Sequence, residues 1–309
     1  MPSGGDTAMS VRAAIAHVID KRAERVDEGH NLLKRATALG DPTARYEALV
    51  LCASVATVLE SDEKAIEYTE QAMELLHGPD AVQPAEWAKW RMPYNQAFIA
   101  DSASRFEEGE RYARLALAAA VASGHASREA DATALLSWLQ LQQGQAVQCV
   151  ETAIRAIRLG EPGSYALGYG YFNLALVLDA HGASDEAIVM MQQVIAVNHD
   201  NRLTKAIDIL ELSRIAANAG RVDIVADCIQ RATAIIEAVG SPPDLTKRLR
   251  TARGRERYVV GDFEAAERIL RPLAEVVQSG GYAASHGRTV VARSDCGGAG
   301  RSRPGPPPR

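Results

Sequence analysis

The side chains best suited to hold a metal or attack a substrate are seven histidines (His17, His30, His77, His125, His181, His199, His286) and four cysteines (Cys52, Cys149, Cys228, Cys296). Their spacing argues against both jobs. No two histidines stand four apart with a glutamate between them, which is how one helix face presents two zinc ligands and a general base. The cysteines include no C-x-x-C pair, so neither a zinc knuckle nor a disulfide framework is expected, and free thiols suit a reducing compartment. Cys52, Cys149 and Cys228 fall where the chain wants a small buried residue, which makes packing the expected role. Adjacent acids such as Glu107 and Glu108, or Asp185 and Glu186, open helices, where the positive end of the helix dipole favours carboxylates. Neither a phosphate-cradling G-x-x-x-x-G-K-[ST] loop nor a G-x-S-x-G nucleophile elbow occurs, and Gly168 and Gly170 read as a tyrosine-rich turn. The chain is therefore expected to be neither an enzyme nor a cofactor carrier.

The elements that would position any site are helices. Residues are 47% hydrophobic but only 5% aromatic, and alternating β-branched runs are missing. In residues 170 to 197, Tyr171, Leu174, Ala175 and Leu178 line one helix face, Gly182 breaks the pattern, and Ala187, Met191 and Val194 line a second helix. Breakers recur at Glu60, Ser104, Gly144, Gly182, Gly220 and Gly261, at spacings of 44, 40, 38, 38 and 41. Each is followed at fixed offsets by a small or apolar triplet: Ala65, Thr69, Ala72; Gly109, Ala113, Ala116; Cys149, Ala153, Ala156; Ala187, Met191, Val194; Val225, Ile229, Ala232; Ala266, Leu270, Leu273. A further second helix is expected over 28 to 38. Pro93 is expected to interrupt a first helix, with 77 to 93 as an irregular join packed by Trp87 and Trp90, and with further joins at 160 to 170 and 240 to 244.

The order of Tyr171, Leu174, Ala175, Leu178, Ala187 and Met191 resembles a tetratricopeptide repeat, stretched beyond its usual length of about 34 residues. The longer pitch, with EGHNLLKRATALGDPTARYEAL and GDFEAAERILRPL, resembles the repeat domains of MalT-like and LuxR-type regulators, or those preceding diguanylate cyclase (GGDEF) domains. The resemblance implies an all-α, right-handed superhelix (an α-solenoid) of about seven hairpins over residues 10 to 279, since one hairpin cannot cover its own apolar face. It also implies a non-catalytic scaffold for protein interaction or ligand sensing in bacterial-type signalling or transcriptional regulation. The alternative it implies is a detached sensory portion of a diguanylate cyclase or LuxR-type regulator.

With Tyr171 as the fourth position, the resemblance turns the sixth, ninth and twelfth positions of each first helix toward the groove. The candidates for binding a protein or peptide partner there are Asn95, Phe98, Asp101, Trp138, Asn173, Asp179, Arg214, Arg255 and Tyr258. An asparagine at the sixth position can offer donor and acceptor to an extended main chain, and Trp138 can anchor a contact. Lysines are missing where chaperone-binding relatives carry a carboxylate clamp, so a C-terminal Glu-Glu-Val-Asp peptide is not the expected ligand.

Residues 1 to 9 and 280 to 309 are expected to be disordered. The second stretch is rich in Gly, Arg and Pro and reads either as a flexible basic tail or as the out-of-frame translation of a gene that continued into another repeat or an output domain. Net charge is −5, of which the tail from Gly281 supplies +4, so the helical body is acidic and nucleic acid binding along it is not expected. No apolar run is long enough to span a bilayer and no apolar leader opens the chain, so a cytoplasmic address is expected, with self-association through uncapped ends of the array.

Overall fold

The computed structural model describes residues 7–20, 26–79, 82–197 and 202–278. The expectations for residues 1 to 6 and 279 to 309, Cys296 and His286 among them, lie outside the described residues, as does His199. Fourteen α-helices and no strand occur among the described residues. They are α1 (Ala8–Asp20), α2 (Val26–Leu39), α3 (Pro42–Leu59), α4 (Asp62–His77), α5 (Glu86–Ser102), α6 (Phe106–Ser123) and α7 (Ala126–Gln142). Then follow α8 (Ala146–Leu159), α9 (Tyr165–Ala180), α10 (Ser184–Val197), α11 (Arg202–Asn218), α12 (Val222–Ala238), α13 (Pro243–Val259) and α14 (Phe263–Gln278).

All six breakers fall between the two helices of a hairpin. Gly144, Gly182, Gly220 and Gly261 each adopt φ between 70° and 83°, the left-handed conformation that ends a helix and that glycine enters without steric cost. Ser104 does the same job at φ 59° with a side chain attached. Helix starts are set locally: the Asp41 carboxylate accepts from the Ala44 N–H at 2.7 Å with Pro42 opening α3, and Ser61 caps α4 through the Lys64 N–H at 3.3 Å.

The chain forms two compact units, Met1–Gln143 with Val147–Gly170, and Gly144–Ala146 with Tyr171–Arg309. In the first, α1, α3 and α5 each pack on the even helix that follows and on the next odd one, as in α1 with α2 and α3, or α5 with α6 and α7. In the second, α11 packs likewise on α12 and α13. The expected triplets of the second helices are buried, from Ala65, Thr69 and Ala72 through Val225, Ile229 and Ala232, with Ala266 buried and Leu270 and Leu273 half-buried in α14. Small residues permit this spacing: a Cβ at Gly109 would stand 2.9 Å from Leu139 Cδ2, and one at Gly170 would stand 2.6 Å from Ile157 Cγ1.

Two local expectations are corrected. Pro93 does not interrupt a first helix, because α5 runs through it. Its ring removes one backbone hydrogen bond at a cost of about 3 kcal/mol. The helix around it buries Trp87, Trp90, Met92 and Tyr94, each stabilising by about 1.5–3 kcal/mol, which outweighs that loss. The join therefore spans only 78 to 85, and both tryptophans are helical core residues. Gly168 and Gly170 likewise lie inside α9 instead of a turn, since the close approach of α8 at Ile157 and the Ala153 carbonyl leaves Gly170 no room for a side chain.

Candidate functional site

The face singled out by the sequence is that of the odd-numbered helices. In the first unit, α1, α3, α5 and α7 are tied along it by side-chain bonds. Glu47 of α3, 0% exposed, accepts from Arg12 Nε and Nη2 of α1 at 3.0 and 2.7 Å and from the Ala85 N–H at 2.9 Å. A buried carboxylate needs such partners, and three donors supply them. Ser54 of α3 accepts from Arg91 Nε at 2.8 Å, and Asn95 Nδ2 donates to the Val50 carbonyl at 3.1 Å, joining α5 to α3. Asp101 of α5 accepts from Trp138 Nε1 of α7, with both carboxylate oxygens at 3.0 Å.

The second unit repeats the last contact with other residues. Asp179 of α9 accepts from Arg214 Nη1 of α11 at 2.8 Å, from Asn218 Nδ2 at 3.0 Å and from the Ser184 hydroxyl at 2.9 Å. Arg214 Nε donates to Glu211 at 2.7 Å. The side chains of Arg214 and Asp179 are only 5% and 6% exposed. Burial works against the Arg214 charge, but the carboxylates of Glu211 and Asp179 outweigh it and hold the guanidinium pKa above its ordinary value. In both units an aspartate at the twelfth position meets a donor at the ninth position of the next first helix.

Four sequence candidates are thus brought together in two pairs, Asp101 with Trp138 and Asp179 with Arg214. Asn95 and Asn173, expected to grip an extended main chain, are 2% and 0% exposed, enclosed among the first helices instead of presented on them. Phe98 is half-buried and meets Tyr94 edge-on at 5.1 Å, and Tyr94 stacks on Trp90 at 4.9 Å. Arg91 lies over both Trp90 and Tyr94, at 5.5 and 5.4 Å from the ring centroids, and Arg128 over Trp90 at 6.0 Å. Arg255 is half-buried on α13, while Tyr258, 63% exposed, meets the equally open Phe263 edge-on at 5.4 Å.

Each unit also has a cleft. In the first, about 330 Å³ is bounded by Ser127, Ala130 and Asp131 of α7 and by Glu161 to Ser164. In the second, about 510 Å³ lies among α10, α11 and α12, with Leu212, Ile195 and Ile224 beside Lys205, Asp223, Asp227 and Arg231. Sequence reasoning missed both, because their walls combine residues from two or three segments at no fixed spacing. Burial pushes the thiols of Cys52 and Cys149 up to about 12 and that of Cys228 to about 11, which leaves them protonated and unreactive near neutrality. Among the described residues no group of three His, Cys, Asp or Glu is placed to hold a metal ion, and no helix is long and apolar enough to cross a membrane.

No protein-family model matches the chain, and no curated protein matches its sequence. Solved structures do. A Rap protein complexed with competence and sporulation factor is similar at TM-score 0.67 and 14% identity, over 96% of this chain and 80% of that one. Aspartyl phosphate phosphatase F from Bacillus subtilis is similar at TM-score 0.57 and 16% identity, over 85% and 68%. A tetratricopeptide repeat protein from Parabacteroides merdae is similar at TM-score 0.51 and 13% identity, over 93% and 96%. The fold is of the tetratricopeptide type. The packing accounts for the aspartates at the twelfth position: α5 lies beside α7 and α9 is bonded to α11, so a polar residue near the end of one first helix meets the next at a constant offset within each unit.

Proposed function

We propose that the chain is a non-catalytic scaffold that holds a protein or peptide segment against its first-helix face, within bacterial-type signalling or regulation. The observation that carries this reading is the fixing of that face by bonds between repeats. Arg12 with Glu47, Trp138 with Asp101 and Arg214 with Asp179 lock long side chains in place before any partner arrives. Such a surface loses little side-chain entropy on binding, a main cost of association. Phe98 and Trp138 add half-buried aromatic area at the ninth position of neighbouring helices, the residue type that anchors interfaces. The similar Rap protein, solved in complex with competence and sporulation factor, supports this use of the fold.

Photo-crosslinking tests it. A benzophenone side chain in place of Phe98 should capture a defined partner in host cells, and one in place of Val147, 69% exposed on α8, should not. Equal capture from both positions, or from neither, removes the proposal.

The second reading, a sensory portion working with an output domain, is supported by α14. Leu270 and Leu273 remain half-exposed at triplet positions that are buried in the five preceding hairpins. A diguanylate cyclase or helix-turn-helix module encoded in frame with the chain would establish that reading, and an unrelated downstream gene would end it.

A further inference from the structure

The fourth, seventh and eleventh positions of a first helix are where this chain places residues against its neighbours. In α3 they are Leu49, Cys52 and Ala56, in α7 Thr133, Leu136 and Gln140, and in α11 Ile209, Leu212 and Ala216, all at most 4% exposed. None is exposed in α5 or α9 either. In α13 the same three positions are Arg250, Arg253 and Arg257, and all three are exposed. Arginine at a packing position forgoes apolar burial worth about 1.5–3 kcal/mol per side chain, so three together are a departure from the repeat's own rule that stability does not explain.

Charge makes the departure larger. Helix α13 carries Lys247, Arg248, Arg250, Arg253, Arg255 and Arg257 against Asp244 and Glu256, a net +4 in a chain whose net charge is −5. Arg253 Nη2 donates to Thr233 Oγ1 of α12 at 3.3 Å, which steadies the middle of the stripe and leaves further guanidinium donors. Among the described residues no carboxylate pairs with Arg250, Arg253 or Arg257.

The opposite stripe exists in the same sequence. Helix α4 carries Asp62, Glu63, Glu67, Glu70 and Glu74 against Lys64, a net −4. Glu63, Glu67, Glu70 and Glu74 stand at spacings of four, three and four, hence on one helix face, and all are exposed. The arginines stand at spacings of three and four, and at a rise of 1.5 Å per residue they cover about 10 Å where the glutamates cover about 16 Å. The two stripes are alike in spacing, opposite in sign, and carried by helices of equal and opposite net charge.

We propose that the chain self-associates, the arginine stripe on α13 of one copy seated against the glutamate stripe on α4 of another. The inference is independent of the peptide-binding reading above, because it uses neither the first-helix face of α5 and α7 nor any of its residues. Association of this kind gains from opposite charge at the contact and is weakened by salt, whose screening length falls from about 10 Å at 0.1 M to about 3 Å at 1 M.

Sedimentation velocity of the full chain at 50 mM and 500 mM sodium chloride tests it. The expected result is concentration-dependent association at low salt that falls by about 3-fold to about 100-fold in affinity at high salt, since three exposed ion pairs each contribute a factor of roughly 1.5 to 5. The triple variant Arg250→Glu, Arg253→Glu, Arg257→Glu and the triple variant Glu63→Lys, Glu67→Lys, Glu70→Lys should each be monomeric with unchanged circular dichroism. An equimolar mixture of the two should associate again. If the charge-reversed arginine variant unfolds, the neutral Arg250→Gln, Arg253→Gln, Arg257→Gln variant takes its place and should show the loss. A wild-type monomer at low salt, association indifferent to either reversal, or no recovery in the mixture overturns the proposal. So does a wild-type chain that stays monomeric while a duplex oligonucleotide binds the arginine stripe.

Discussion

Replacing Arg214 by methionine keeps most of the side-chain volume and removes the charge. Asp179, whose side chain is 6% exposed, then loses the guanidinium at 2.8 Å and keeps only Asn218 at 3.0 Å and Ser184 at 2.9 Å. Breaking one side of a buried ion pair costs about 3–5 kcal/mol, because the remaining charge stays out of water without its partner. Two surviving neutral donors place this case at the lower end, about 3 kcal/mol, or roughly two decades in the unfolding equilibrium. The second substitution decides the cause. Arg214→Met with Asp179→Leu removes both charges, and exchange of a buried pair for apolar side chains is close to neutral, so about 2 kcal/mol or more should return. Glu211→Gln, on a side chain 17% exposed, should cost only about 1 kcal/mol. Urea unfolding followed by circular dichroism measures these chains together with Asp179→Leu alone, which closes the cycle and yields the coupling between the two sites. A loss below about 1 kcal/mol for Arg214→Met, or simple additivity in the double variant, would refute the claim that this pair ties α9 to α11.

Three further outcomes test other parts of the fold. Gly170→Ala should lower the melting temperature by an amount corresponding to about 1–3 kcal/mol, although alanine is the better helix former, because its Cβ would stand 2.6 Å from Ile157 Cγ1 and 3.0 Å from the Ala153 carbonyl oxygen. Ser104→Gly should raise stability by about 0.5–1 kcal/mol in the same melts, since Ser104 holds φ 59° and glycine adopts that angle without strain. Thiols raised by burial favour the protonated folded form, so their contribution is intact below the unfolded thiol pKa near 9 and is lost as pH rises toward 11 to 12. Stability should therefore decline between pH 9 and 12, and replacing Cys52, Cys149 and Cys228 together by alanine should flatten that slope when melts at several pH values are compared.

The hairpins were legible because four of the six breakers combine two local signals, a loss of apolar period and a glycine tolerant of left-handed backbone. Gly182 and Gly220 carry both, and even Ser104, with only the first, was placed by its spacing from its neighbours. Where local rules misled, packing had overridden them. Pro93 breaks helices in isolation, but in α5 it stands among Trp90, Met92 and Tyr94, whose burial holds the helix together. The glycines of α9 signal a turn in sequence, yet Gly170 marks a backbone pressed against α8. The face of the first helices was legible as a register, whereas the bonds across it were not, because a contact between positions 101 and 138 or 179 and 214 leaves no periodic trace within either helix.

Those bonds also say why one register carries such different residues. The twelfth position is aspartate in α5 and α9, and the ninth position of the following first helix is tryptophan in one case and arginine in the other. Both side chains deliver N–H donors to a carboxylate across the gap between neighbouring first helices, so geometry sets the need for a donor while leaving its identity open. Trp138 stays half-buried and answers with one neutral N–H, shared between two oxygens. Arg214, only 5% exposed, brings a full charge and engages Glu211 with its remaining edge. The donor is therefore matched to the depth of its site. Exchanging the two should fail asymmetrically: Trp138→Arg keeps a solvated charge beside Asp101 and is tolerated, while Arg214→Trp leaves Asp179 and Glu211 without their shared cation and loses stability comparable to Arg214→Met.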